Sequence, residues 1–155
     1  MTAVESVTRS GVRIVRHGRL CLGLLINIRL LQALLNAHSF WARGRRQVDL
    51  VRMLLASAQV VTAWNNRDQL VGFGRATSDG VYRAVLWDVV VAEAFQGQGI
   101  GGELVKGLLT SDAIRNVERI YLMTTNSGGF YEKLGFKYCE TQKLFMLASK
   151  AKPNN

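Results

Sequence analysis

The sequence predicts one α/β domain built on a mixed, mostly antiparallel sheet flanked by helices. Three observations carry this. Apolar strands separated by polar turns form an antiparallel meander from Val60 to Ala92. The β-branched end of that meander, Val89-Val90-Val91, runs through a glycine-dense turn into a helix. Another apolar strand, Arg119 to Met123, follows the helix, and a strand reached through a helical crossover pairs in parallel. At 155 residues the chain can bury one sizeable core and is short for two.

The elements read as follows. Gly11 to Arg16 is a candidate first strand. Ile26, Leu30, Leu31, Leu34 and Leu35 share a helical face, predicting an amphipathic helix that ends near Asn36. Ser39 to Arg46, SFWARGRR, is a basic and aromatic loop. Val48, Val51, Leu54 and Leu55 mark a second helix. Val60 to Trp64 and Leu70 to Ala76 are strands joined by Asn65-Asn66-Arg67-Asp68, a hairpin turn by composition. Thr77 to Gly80 turns the chain into a long strand from Val81 to Ala92. Glu103 to Leu109 is the crossover helix. Asn126 to Leu134 reads as a short helix, with Gly135 at the left-handed capping position, and Leu144 to Leu147 as the last strand. The expected organisation is a basic, ragged segment over 1–19, the domain over 20–148 and a flexible tail over 149–155.

Twenty Lys and Arg against 11 Asp and Glu give a net charge of +9, which favours anionic partners. No run of like charge resembles a nucleic-acid tail, and no helix is dense in Lys and Arg, so nucleic acid is not an expected partner. Cys21 and Cys139 lack CxxC spacing, and His17 and His38 are the only histidines, so no metal site is expected. The apolar run Leu20 to Ile28 ends at Arg29 and is too short to span a bilayer. Five basic groups and one acid in residues 1–19 resemble a targeting region without a convincing cleavage site. The expectation is a cytoplasmic protein with no membrane partner, a plastid one being the alternative. Monomer and homodimer are both open.

The turn Gln96-Gly97-Gln98-Gly99-Ile100-Gly101-Gly102 is the most informative stretch. Glycines let the backbone approach a bulky anion, and the helix start behind them aims unpaired N–H groups at the same place. The expected ligand group is a phosphate or pyrophosphate. Gly97, Gly99 and Gly102 satisfy GxGxxG, but a dinucleotide fold places that motif after its first strand and needs more than the 53 residues that follow. No Gly-Lys-Ser/Thr triplet supports an ATP-type loop.

Gln96-x-x-Gly99-x-Gly101 after the long strand resembles the acetyl-CoA pyrophosphate loop of the GNAT N-acetyltransferase superfamily. Phe130-Tyr131-Glu132-Lys133-Leu134-Gly135-Phe136, about thirty residues later, resembles that superfamily's second signature. Leu70 to Gly80 and Leu86 to Gly101 look most like the plastid and cyanobacterial branch that includes plant-type serotonin N-acetyltransferases. The resemblance implies acetyl-CoA as co-substrate. Its pyrophosphate would lie on Gln96, Gly97, Gln98, Gly99, Ile100, Gly101 and Gly102, and its pantetheine arm along the backbone of Val89, Val90 and Val91. It also implies transfer to a primary amine, either an arylalkylamine such as serotonin or a protein lysine or N-terminal amine. Many members carry Asn seven residues before the signature tyrosine. Here that place is Thr124, with Asn126 the substitute for binding the CoA arm.

Amine acetylation needs a base, an oxyanion donor and an acid for the leaving thiolate. Asp88 is the only acid in the apolar run Ala84 to Val91, and burial is expected to raise its pKa toward the working range of a base. Strand alternation places it opposite Trp87 and Val89. The alternative is a structural ion pair with an arginine such as Arg75 or Arg83. Tyr131 is the acid that the resemblance implies, and a strand N–H near Val89 to Val91 is the oxyanion donor. Phe40, Trp41, Arg43, Arg45 and Arg46 stand where the acceptor should enter. A non-catalytic acyl-CoA-binding module is the competing reading, kept open by Thr124.

Overall fold

The computed structural model describes residues 3–149, which fall into two compact units divided between Met123 and Thr124. The first carries a six-stranded sheet in the order β1-β2-β3-β4-β5-β6. Its strands are β1 (Val4–Val7), β2 (Arg13–Arg16), β3 (Gln59–Trp64), β4 (Leu70–Ser78), β5 (Arg83–Val91) and β6 (Arg119–Leu122). The first five pair antiparallel, and β6 pairs with β5 in parallel. Helices α1 (Leu22–Ile26), α2 (Ile28–His38) and α3 (Gln47–Leu55) follow β2, and α4 (Ile100–Leu109) joins β5 to β6.

Sheet alternation divides the core between two faces. Leu31, Leu34 and Leu35 of α2 and Leu50 and Leu54 of α3 pack with Val60, Phe73 and Val90 on one face. On the other, α4 lies unusually close. A Cβ on Gly107 would meet Val61 at 3.1 Å, and one on Gly72 would meet Ala63 and Leu104 at 3.0 Å. Both residues must be small for α4 to lie this close against β3 and β4.

Three expectations are corrected. The segment 1–19, expected to be ragged apart from the candidate strand Gly11 to Arg16, also contains β1, which pairs with β2. β2 is that expected strand and pairs with β3 over Arg13 to Arg16. Val12, Ile14 and Val15 are buried there, which anchors the segment to the sheet. Leu144 to Leu147 form no strand, and their side chains are exposed, without the one-sided burial that fixes a strand's register. The helical pattern from Ile26 to Asn36 is split: α1 ends at Ile26, Asn27 intervenes, and α2 continues to His38. Of the tail expected over 149–155, only Ser149 lies within the described residues.

The second unit, residues 124 onward, contains α5 (Gly128–Lys133). Gly135 has φ +92°, and its N–H donates to Glu132 O while Phe136 N–H donates to Tyr131 O. That paired pattern is a left-handed C-terminal cap, as Gly135 predicts.

Candidate active site

The turn after β5 has the backbone its glycines call for. Gly97 and Gly99 have φ +75° and +80°, and Gly99 is the residue from which α4 starts. A Cβ at either would meet nothing within 4 Å, so open space lies beside this backbone. The first N–H groups of α4, on Ile100, Gly101 and Gly102, have no carbonyl one turn behind them to bond, and they face outward with the positive end of the helix dipole. Gln96 Nε2 donates to Val91 O at 3.1 Å, tying the turn to the end of β5. The arrangement is a backbone cradle for an anion, and it fits a pyrophosphate.

The strand leading to it is open on one edge. β6 pairs with β5 only from Arg83 to Leu86. Beyond Leu86, β5 continues to Val91 held by β4 alone, with Gly72 opposite Val91 and Phe73 opposite Val90. Ala92 N–H donates to Val71 O, so alternation turns the N–H of Val91 the other way, toward the open edge. A ligand with amides of its own can pair there as a further strand would. Val90 meanwhile buries its side chain in the core, so these valines serve packing and leave backbone free.

Asp88 occupies a β-bulge at the start of this opening. Arg75 pairs with Trp87 and Phe73 with Val90, so Asp88 and Val89 together oppose Gly74. Asp88 has φ +53°, a left-handed conformation that Asp tolerates better than most residues. The bulge breaks alternation. Trp87 lies under the Arg75 guanidinium at 5.8 Å, and Asp88 also bonds Arg75, so both side chains lie on one face rather than opposite ones.

The Asp88 carboxylate is 4% exposed and has three donors. Arg75 Nε reaches Oδ2 at 2.8 Å, Arg45 Nη1 reaches the same oxygen at 3.1 Å, and Trp41 Nε1 donates to Oδ1 at 3.1 Å. Burial pushes the pKa upward, yet the hydrogen bonds and charges of Arg45 and Arg75 outweigh it and hold the group below the usual carboxylate range. The expected rise is therefore reversed, because burial came with two cations. Arg75 is the ion-pair partner, while Arg83 pairs with Glu118 at 3.2 Å instead.

Loop 39–46 supplies two of these three donors. It is fixed by Gly44 N–H to Asn36 Oδ1, Ala42 N–H to Ser39 Oγ and Gln32 Nε2 to Arg45 O. Arg43 donates to Asn36 O, and Arg46 pairs with Asp49 at 2.9 Å. All three loop arginines thus have partners, whereas Phe40 and Trp41 stand 68% and 48% exposed, edge to face at 5.1 Å. The direct link from Arg45 and Trp41 to Asp88 spans more than forty residues and has no local signature in the sequence.

In the second unit Tyr131 packs edge to face against Phe130 and Phe136 at 4.9 and 5.9 Å. Burial pushes its phenol pKa up, so the hydroxyl keeps its proton at neutral pH. Thr124 Oγ1 accepts from Ser127 N–H ahead of α5, a local turn contact, and Asn126 is exposed beside it. Among the described residues, no three His, Cys, Asp or Glu side chains gather as a metal-binding group, and no helix is long and apolar enough to cross a membrane. A cavity of about 700 Å³ at the β1–β2 edge, lined in part by His17, Cys21 and Trp64, includes none of the expected site residues.

A mixed sheet whose parallel neighbour ends early, with a glycine cradle at the head of the crossover helix, defines a class of acyl-transfer fold. Residues 56–138 match the acetyltransferase (GNAT) domain family, and the chain belongs to that family. It is similar to serotonin N-acetyltransferase 2, chloroplastic, of Oryza sativa subsp. japonica, 37% identical over 97 residues, 59% of this chain and 48% of that one. Histone acetyltransferase TAP1 of Glycine max is 38% identical over 74 residues, 47% of this chain and 32% of that one. The N-acetyltransferase ycf52 of Pyropia yezoensis is 32% identical over 115 residues, 72% of this chain and 65% of that one. The chain therefore spans between a third and two thirds of the length of these curated relatives. A GNAT-family acetyltransferase of Streptococcus pneumoniae TIGR4 shares the fold, with a TM-score of 0.68 at 22% identity over 91% of this chain and 99% of that one.

Proposed function

We propose that this protein is an acetyl-CoA-dependent N-acetyltransferase acting on a primary amine. The observation that carries the reading is the open edge of β5 beyond Leu86, running directly into the cradle at Gly97 to Gly102. The pantetheine amides would pair with the backbone of Val89 to Val91, and the pyrophosphate would lie on the N–H groups at the start of α4. Asn126 is the further residue assigned to the CoA arm.

The acceptor nitrogen attacks the thioester carbonyl carbon, the C–S bond breaks, and the acetyl group ends on nitrogen. Asp88 is assigned the ammonium proton and Tyr131 the delivery of a proton to the departing thiolate. A strand N–H near Val89 to Val91 stabilises the oxyanion.

The acceptor class this surface supports is an arylalkylamine. With Arg43, Arg45 and Arg46 each paired within the chain, to Asn36 O, Asp88 and Asp49, the exposed Phe40–Trp41 pair is the surface on this loop best suited to receive a substrate. The rice relative's name points to an aromatic amine and the soybean relative's name to a protein lysine, so both belong in the test. Names marked chloroplastic among the relatives support the plastid over the cytoplasm.

A second reading, a non-catalytic acyl-CoA-binding module, draws support from the two arginines that keep Asp88 weakly basic. Thiol release from acetyl-CoA decides between them, measured with phenethylamine, tryptamine, a lysine peptide and a free N-terminal peptide. Release with the aryl amines and a mass-verified amide product supports the enzyme. Binding of acetyl-CoA without release for any amine supports the module.

A further inference from the structure

Asp88 carries one negative charge and faces two cations of unequal permanence. Arg75 stands within β4, its side chain 15% exposed, with Nε 2.8 Å from Oδ2 and its guanidinium over Trp87. Strand pairing and stacking hold it, and it alone balances the carboxylate. Arg45 stands on loop 39–46, its side chain 33% exposed, with Nη1 3.1 Å from the same oxygen. Its contact to Met53 Sδ at 3.6 Å is a poor substitute for a charged partner. The loop backbone is fixed by Asn36, Ser39 and Gln32, so the Arg45 side chain can swing away without undoing it. Beside this surplus cation lie the exposed rings of Phe40 and Trp41, and Trp41 also bonds the carboxylate.

We propose that Arg45 is an internal stand-in for the acceptor's ammonium group: a protonated arylalkylamine displaces its Nη1 from Asp88 while the aromatic ring lies against Phe40 and Trp41. This rests on the amine-acetyltransferase reading of the same site. Replacing one monocation by another leaves the charge around the buried carboxylate unchanged, so the exchange uncovers no lone buried ion. The ammonium offers three donors on a compact centre, which suits a slot that a guanidinium fills with one nitrogen. Arg45 is on this account a positioning and specificity residue. It fills the slot as a second cation when the site is empty, so an acceptor must bring a cation of its own to displace it, while Phe40 and Trp41 select for a ring.

The exchange is tested in the full chain by titrating phenethylammonium and following the indole Nε1–H resonance of Trp41, assigned through Trp41→Phe. Wild type is compared with Arg45→Met, with Arg45→Gln as the second neutral variant and Arg45→Lys as the conservative one. Losing the competitor should tighten binding about tenfold in the neutral variants, while Lys restores most of the wild-type value. Acceptor KM should fall in parallel, with kcat changed far less, whereas mere loosening of the loop would raise KM. Phenylethanol, which has the ring and no charge, should not distinguish the variants.

Equal or weaker phenethylammonium binding in the neutral variants overturns the exchange, as does a Trp41 resonance that moves in none of the proteins. The two readings fail separately. Absent thiol release with a retained difference in binding removes the enzyme reading alone. Thiol release with the same KM in every variant removes the exchange alone.

Discussion

Arg75 and Asp88 meet across β4 and β5, Nε to Oδ2 at 2.8 Å, where β5 carries one residue more than its partner. The bulge turns Asp88 onto the face of Trp87 and Arg75 and leaves the rest of β5 to run on without β6. One irregularity thus positions a buried carboxylate and begins the opening in the sheet. Any test of Asp88 has to preserve that backbone.

Asp88→Asn does so, because Asn tolerates positive φ as Asp does and has the same shape. If Asp88 accepts the acceptor's proton, turnover should fall on the order of 10²-fold or more while acetyl-CoA affinity is kept. Two arginines would lose their counter-charge, so a stability loss of about 1–3 kcal/mol should accompany it. Because those arginines keep the carboxylate ionised below the usual range, its titration should appear only on the acid side of the kcat/KM profile, well under neutral pH. Wild-type turnover in a folded Asp88→Asn protein would make the residue purely structural.

The glycine cradle calls for a pair of substitutions. Gly99 has φ +80° and open space where a Cβ would go, so Gly99→Ala adds backbone strain of about 1–2 kcal/mol without a clash in the free protein. Gly99→Asp adds a negative charge at the proposed pyrophosphate position. Acetyl-CoA binding by calorimetry should weaken with Ala and vanish with Asp, and thermal melts should show both proteins folded. Undiminished affinity in Gly99→Asp would remove the cradle from the binding site.

The cradle and the crossover were legible because their causes are local. Glycine at 97 and 99 marks backbone that other residues adopt only with strain, β-branched runs mark β3 and β5, and an apolar stretch between two turns marks β4. Gly135 likewise announced the end of α5. What the sequence did not reveal is long-range. Trp41 and Arg45 reach Asp88 only once α2 and α3 lie over β5, and an apolar run cannot show that burial arrives with two cations. The bulge was also hidden, since Asp88 in a run of valines reads as plain alternation. Leu144 to Leu147 show the converse: an apolar pattern meets the compositional condition for a strand without providing a partner.

His17 gives a stability prediction independent of the proposed chemistry. Its ring is buried, and Nε2 lies 2.7 Å from Thr62 Oγ1, which also accepts from Trp64 Nε1. The indole can only donate, so Thr62 keeps its own proton for a neutral imidazole. Burial lowers the His17 pKa from 6.5 to about 4, against a smaller opposing pull from Glu5. Above the unfolded value the ring is neutral in both states and its contribution is complete. As pH falls from there toward 4, the unfolded chain binds a proton that the fold refuses, and about 3 kcal/mol of stability is lost. Urea midpoints measured across this window should fall for wild type and fall less for His17→Asn. Parallel curves for the two proteins would assign the acid sensitivity to other groups.

Tyr131→Phe tests the proposed acid. The ring contacts to Phe130 and Phe136 survive the change, and the cap at Gly135 uses only backbone groups, so fold and stability should barely move. Burial pushes the phenol pKa up, which keeps the proton available at neutral pH. A CoA thiol titrates near ~8.5, so water can protonate part of the departing thiolate without help. The loss should therefore be smaller than for Asp88→Asn, on the order of tenfold to 10³-fold, and concentrated in kcat. It should also diminish with an acyl donor whose thiol is more acidic, because a better leaving group needs less protonation. An unchanged rate would leave Tyr131 a packing residue, and a collapse in acetyl-CoA affinity would make it a ligand-positioning one.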